Sequence, residues 1–434
     1  MTALLGFHGW RAFRHRNYRL FFGGQAISLV GTWMQQVAQG WLVLQLTRDP
    51  FALGLVAAAQ FTPVLIFGLF GGLIADQLPK RRVLLVTQTI AMVLAFILFG
   101  LTASGSVEVW HVLVLAVALG VSNAVDMPVR QAFAVEMVGR DDVVNAVGLN
   151  SALFNASRIL GPALAGLTIG AFDISVAFLI NGLSFLAVIA SYLVMRDEEL
   201  RPAPRMDRPS SIHDVIDALA EGLRYVRATP IVFLAVSVVG LAATFGMNSS
   251  VLAPPLAQDV LRSDASGFGF LMAAAGVGSL VAALGVAFGA RARPAAMAWG
   301  SILLGVSGIV LGVSRSFPLS LAAMVAMGFG MIAMAATANS TIQLNVPDRL
   351  RGRVMSVYTT VFAGSTPIGG LILGAVASTF GVPIAYIAGG AVTVGIGLWA
   401  AAWLRSMPWS VLRPQRVATP VRAETSTLTI ARPR

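Results

Sequence analysis

Twelve runs of about twenty mostly apolar residues follow one another along this 434-residue chain, and each is long enough to cross the hydrocarbon core of a bilayer. The spacing predicts spans over 19–46, 52–75, 83–104, 110–130, 143–171, 174–195, 230–257, 265–289, 295–314, 317–342, 354–380 and 383–404. Hydrophobic residues make up 57% of the chain and charged residues 11%. A water-soluble fold averages about 25% charged residues. Lipid, by contrast, accepts apolar outer faces, provided the backbone satisfies its own hydrogen bonds, as a helix does.

The charges test this division independently. With the N-terminus in the cytoplasm and the sides alternating, every basic residue falls in a cytoplasmic segment except Arg48, Arg158, Arg262 and Arg315. This is the positive-inside asymmetry. It explains the net charge of +11 by topology and argues against nucleic acid as a partner. Both termini are expected in the cytoplasm. Arginine usage, with Lys80 the only lysine, points to a GC-rich bacterial genome and so to the bacterial cytoplasmic (inner) membrane.

Several chemistries are not expected. The chain has no cysteine, and its histidines (His8, His15, His111 and His213) include no pair at helical ligand spacing, so no metal site is predicted. No phosphate-binding G-x-x-x-x-G-K-[ST] loop occurs, which argues against ATP as the energy source. No cluster of acids and histidines suggests an enzyme.

A charged, proline-bearing stretch divides the chain near its middle. The expected organisation is a six-helix half over 1–195, a cytoplasmic linker over 196–229, a second six-helix half over 230–404 and a disordered tail over 405–434. Within the linker, Ile212, Val215, Ile216, Leu219, Leu223 and Val226 recur at helical spacing, so an amphipathic helix is predicted at the membrane surface. The halves echo each other weakly. Gly161-Pro162 in the fifth span and Pro367 before Gly369-Gly370 in the eleventh are each preceded by an acid-bearing loop. Paired halves with a site between them are a recurring plan for transporters.

The loop after the second span reads Gly72-Leu-Ile-Ala-Asp76-Gln-Leu-Pro-Lys80-Arg81-Arg82-Val-Leu84. It resembles motif A of the major facilitator superfamily, G-x-L-A-D-R-x-G-R-K-x-x-L, with Gln77 and Pro79 departing from it. The fifth span carries Gly148, Ser157, Gly161, Pro162, Ala165 and Gly166, which resemble motif C of that superfamily's exporters with two glycines replaced by Ser157 and Ala165. The pattern Asp126-x-Pro128-x-Arg130, together with Arg158-Ile-Leu-Gly-Pro162, is similar to the branch that holds enterobactin exporters and macrolide efflux proteins.

The resemblance implies an all-α membrane protein of the major facilitator fold, with twelve transmembrane helices in two pseudo-symmetric halves. It also implies an ionic latch around Gly72, Asp76, Lys80 and Arg81. An acid at the end of the fourth span joins that latch in the superfamily, so Asp126 is expected near the membrane edge, paired with Lys80 or Arg81. Its four-residue spacing also allows a pair with Arg130. Proton coupling is expected from the resemblance, and no other cofactor is; no carrier stands out deep in a span.

Arg158 stands near mid-span, where a charge costs at least ~2.5–3.5 kcal/mol even on lenient insertion scales. It should face a cavity or the interior, sharing a face with Ser151 and Asn155, and could anchor an anionic or carbonyl-bearing substrate or clamp neighbouring carbonyls. Ser28, Thr32, Gln35 and Gln39 form a polar stripe on the first span, and Asn248 and Asn339 add amides from the second half. These are the expected cavity residues. Trp33, Trp41 and Phe245 are expected as aromatic walls. The expected activity is proton-driven antiport that exports an amphipathic small molecule, a drug or siderophore, by a monomer in contact with membrane lipid. Import or facilitated diffusion on the same fold, and a non-transporting sensor or assembly partner, are the alternatives left open.

Overall fold

The computed structural model describes residues 8–139, 141–201, 212–288 and 293–407, with side chains except at 8, 9, 69–77, 212–215, 287 and 288. The expected tail beyond 407, and the linker from 202 to 211, lie outside the described residues.

Fourteen α-helices occur among the described residues. They are α1 (Arg16–Thr47), α2 (Pro50–Gln77), α3 (Lys80–Ala103), α4 (Val109–Val138), α5 (Val143–Ala171), α6 (Ile174–Leu193), α7 (Ile212–Ala228), α8 (Pro230–Gly246), α9 (Ser249–Pro255), α10 (Ala265–Phe288), α11 (Ala295–Val313), α12 (Phe317–Asn345), α13 (Asp348–Phe380) and α14 (Val382–Ser406). A short 3-10 helix, His8–Arg14, precedes α1.

The seventh span is interrupted. Met247 and Asn248 break α8 from α9, and Pro254 and Pro255 lead into a π-helical turn at Leu256–Val260. Proline lacks the amide proton that a continuous α-helix needs there. Eleven helical segments have the length and hydropathy of a membrane span, with Pro230–Val260 counted as one. Helix α1 makes the twelfth. It is 32 residues long, and its stripe of glutamine, serine and threonine lowers its hydropathy below that of the others.

The packing repeats between halves. In the first, α1 pairs with α5 and α6, α2 with α4, and α3 with α4 and α6. In the second, α8 pairs with α13 and α14, α10 with α12, and α11 with α12 and α14. These are the same pairings displaced by six spans. The halves meet through two related seams, α2 on α13 and α5 on α10. Small residues allow the close approaches that lipid itself does not drive. A Cβ on Gly24 would lie 2.9 Å from Val188 Cα, and one on Gly305 would lie 2.5 Å from the Gly390 carbonyl.

Helix α7 does more than lie on a surface. It packs on α13 and α8. Val226 is buried, Tyr225 Oη donates to the Asn345 carbonyl at 3.0 Å, and Glu221 pairs with Arg353.

Candidate functional site

Both seams close at the same end. On α5 and α10 the glycine contacts run from Gly276 at the Arg158 carbonyl to Gly170 beside Ser266. On α2 and α13, Gly374 approaches Pro50 and Phe51, Gly54 packs on the Gly370 carbonyl, and Gly364 touches Leu65. Trp41 stacks on Phe268 at 6.0 Å within the same seal, rather than walling a cavity. At the other end, which carries the clustered arginines, no described ion pair or side-chain hydrogen bond joins α1–α6 to α8–α14. A cavity of ≈ 320 Å³ lies inward of the seal.

The first half gives this cavity a wall of amides. Gln35, Gln36 and Gln39 come from α1, Gln60 from α2, Gln88 from α3, Asn123 from α4 and Asn181 from α6. Asn181 Nδ2 donates to Gln35 Oε1 at 2.6 Å, which fixes one of these amides against its neighbour. Trp33 and Phe154 add an aromatic edge, with ring centres 5.6 Å apart.

Asp126 and Arg130 belong to this wall, and they pair with each other as their spacing allowed. Helix α4 continues to Val138, so Asp126 sits roughly three turns, or about 18 Å, before its end. It is 2% exposed. Its carboxylate accepts from Thr87 and Gln88, each at 2.8 Å, and from Arg130 at 3.2 Å. Arg130 also donates to Gln25 Oε1, and Gln25 donates to Tyr192 Oη. A buried ion survives only when paired and hydrogen-bonded, and these donors meet that need.

Asp126 therefore does not pair with Lys80 or Arg81. Lys80 Nζ binds Glu136 Oε1 at 2.7 Å, a residue the sequence reading passed over. Arg81 binds Asp197 and the carbonyls of Tyr192 and Leu193. Together they tie the start of α3 to the ends of α4 and α6. Gly72 and Asp76 lie near the end of α2, and their side chains fall outside those described.

The motif C residues divide. Ser157, Gly161, Pro162, Ala165 and Gly166 are buried. Gly161 packs on Trp33 of α1, while Gly269 of α10 packs on Gly166 and the Pro162 carbonyl. Gly148 touches nothing within 4 Å of where its Cβ would stand.

The remaining expected cavity residues do not converge. Ser151 and Asn155 line a separate groove of ≈ 690 Å³ between α1, α4 and α5, which shares Leu29, Met127, Arg130 and Phe154 with the amide-lined cavity. Asn248 borders a small pocket inside the second half, beside Phe245. Asn339 accepts from Gln343 on its own helix. Arg158 lies over the Trp33 ring, 5.8 Å from its centre, and reaches Met331 Sδ at 3.6 Å.

Outside the membrane spans, Asp142 gathers Arg11, Arg14 and His15 at 3.2, 2.6 and 2.9 Å. The hydrogen bond from His15 and the charges of Arg14 and Arg11 hold its carboxyl below the usual range, against the opposing effect of burial. The cluster pins the N-terminal 3-10 helix to the start of α5.

The model of the transmembrane secretion effector family matches residues 7–416. Multidrug efflux pump Tap of Mycolicibacterium fortuitum is 29% identical, with 81% of this chain and 87% of that protein covered. The staphyloferrin A transporter of Staphylococcus aureus is 24% identical, covering 84% and 90%. Macrolide efflux protein A of Streptococcus pyogenes is 22% identical, covering 89% and 96%. Among solved structures, nucleoside transporter NupG superimposes with a TM-score of 0.69 at 13% identity, covering 92% of this chain and all 100% of that one. A bacterial homologue of the lysosomal transporter Spinster, inward-facing and unoccupied, gives 0.67 at 14% identity, covering 91% and 96%. These two show the major facilitator fold. This chain is a multi-pass membrane transporter and belongs to the transmembrane secretion effector family of the major facilitator superfamily.

Proposed function

We propose that the chain is a proton-driven exporter of amphipathic small molecules that works by alternating access in the bacterial inner membrane. The observation that carries this reading is Asp126, a buried carboxylate in the wall of a cavity sealed at one end. The end with the clustered arginines is taken as cytoplasmic, with both chain termini there. The form described is then inward-open. Rocking the halves about the two glycine-lined seams would open the opposite end.

Asp126 is the proposed proton carrier. Protonation cancels the charge that holds Arg130 and frees the Thr87 and Gln88 donors. Those groups share a wall with Gln35 and Gln39, the proposed substrate contacts. Proton and substrate thereby influence each other's affinity, which is the linkage that coupled transport requires. Lys80 and Arg81, with Gly72 and Asp76, are proposed to form the gating latch. The buried motif C residues are proposed to form the seal. The relatives named as efflux pumps support export. We also propose two six-helix halves joined by the 196–229 linker, acting as one monomer.

The test is accumulation of dyes, antibiotics and siderophores in cells expressing the protein, with and without a protonophore. Lower accumulation that the protonophore reverses is expected. Raised accumulation would indicate uptake and overturn the direction.

A further inference from the structure

Arg158 is a charge without a counter-charge. Asp126 and Arg130 balance each other. No described carboxylate lies within 4 Å of Arg158. Its polar and aromatic contacts among the described residues are the face of Trp33 and the sulfur of Met331. A guanidinium has five N–H donors, and a thioether is a weak acceptor. Stacking on an indole satisfies the face of the cation but none of the donors in its plane. Holding a charge at mid-span in this condition is costly, and such residues mark ligand paths.

Its position is specific. The Arg158 carbonyl lies against Gly276 of α10, in the α5–α10 seam. Trp33, beneath its guanidinium, lines the cavity. Met331 belongs to α12, so the contact from Arg158 crosses between the halves.

We infer that Arg158, Trp33 and Met331 form the binding site for a planar oxyanion, a carboxylate or its equivalent, on the transported molecule. This names a substrate class and rests on the transport reading above. The planar fork of a guanidinium fits a carboxylate with two parallel hydrogen bonds. An oxyanion taking those donors displaces Met331 Sδ and breaks a contact between α5 and α12. Substrate binding then loosens the halves beside that seam.

The test uses the purified full chain in lipid nanodiscs and two probes of equal shape, 2-naphthoate and 2-naphthamide, titrated by calorimetry. Wild type is expected to bind the anion about tenfold or more tightly than the amide, the range of a charge-assisted hydrogen bond. In Arg158→Gln the ratio should fall to near one with the amide affinity unchanged. Should that variant not fold, Arg158→Lys, which keeps the charge but loses the fork, should lower the ratio at least several-fold. No preference in wild type, including no binding of the anion, would overturn the proposal. So would a preference that survives substitution. Export is measured separately in cells. Loss of export with the preference intact would fail the transport reading alone; export without the preference would fail the oxyanion site alone.

Discussion

Asp126 Oδ2 and Arg130 Nη2 lie 3.2 Å apart, one turn along α4, and both side chains border the amide-lined cavity. The pair is charged yet neutral in sum, so a proton added to Asp126 leaves a net positive wall.

The pair between Lys80 and Glu136 is mostly buried, with side chains 15% and 10% exposed. Removing one partner of such a pair costs about 3–5 kcal/mol, whereas replacing both with apolar groups is often close to neutral. Glu136→Leu and Lys80→Met are each expected to lower thermal stability. The double variant Lys80→Met/Glu136→Leu should be nearer wild type than the singles suggest. Thermal unfolding of the four proteins checks this, and simple additivity would argue that the two residues do not act together.

Asp76→Asn is expected to slow export by tenfold or more, roughly 1.4 kcal/mol in a rate-limiting step, while insertion stays normal. Flux normalised to protein in the membrane is the measurement. Wild-type flux would remove Asp76 from the gating latch.

The seal depends on glycine. A Cβ on Gly166 would stand 2.9 Å from Ser266 Cα. Gly166→Val should therefore favour the form in which this seam is open. The chain has no cysteine, so single cysteines report cleanly. A cysteine at Val147, near the open end, should label several-fold more slowly with a membrane-impermeant maleimide in inside-out vesicles when Gly166→Val is present. Unchanged labelling would contradict the seal.

The Asp142 cluster makes a prediction about pH. The folded carboxyl titrates below its usual value. Its contribution is therefore complete above the ordinary carboxylate pKa and is lost only as pH falls through the lowered one. Between pH 8 and pH 5 the clamp on the N-terminal helix should hold. Hydrogen exchange of residues 10–15, corrected for intrinsic rates, should show equal protection at both values and faster exchange in Asp142→Asn. Equal protection in the variant would remove Asp142 as the clamp.

The spans were legible because each is a long apolar run, and even the polar α1 could be read from its length and its stripe. Gln35 and Gln39 were legible for the same reason, since a stripe on one helix has a period. Gln60, Gln88 and Asn181 were not. Gln88 and Asn181 are each the single amide of their helix, Gln60 stands far from the only other amide of α2, Gln77, and the cavity exists only between helices. The expected pairing of Asp126 with Lys80 or Arg81 failed for a different reason. The fourth span was ended at 130, eight residues before Val138. Glu136 was missed with the last turns of that helix.

The most direct measurement is flux of an identified substrate in proteoliposomes, comparing wild type with Asp126→Asn. Two conditions are needed: an imposed pH gradient, and equilibrium exchange with no gradient. If Asp126 carries the proton, the variant loses gradient-driven transport by at least tenfold, about 1.4 kcal/mol or more, and retains exchange. Gradient-driven transport by Asp126→Asn at the wild-type rate would contradict it.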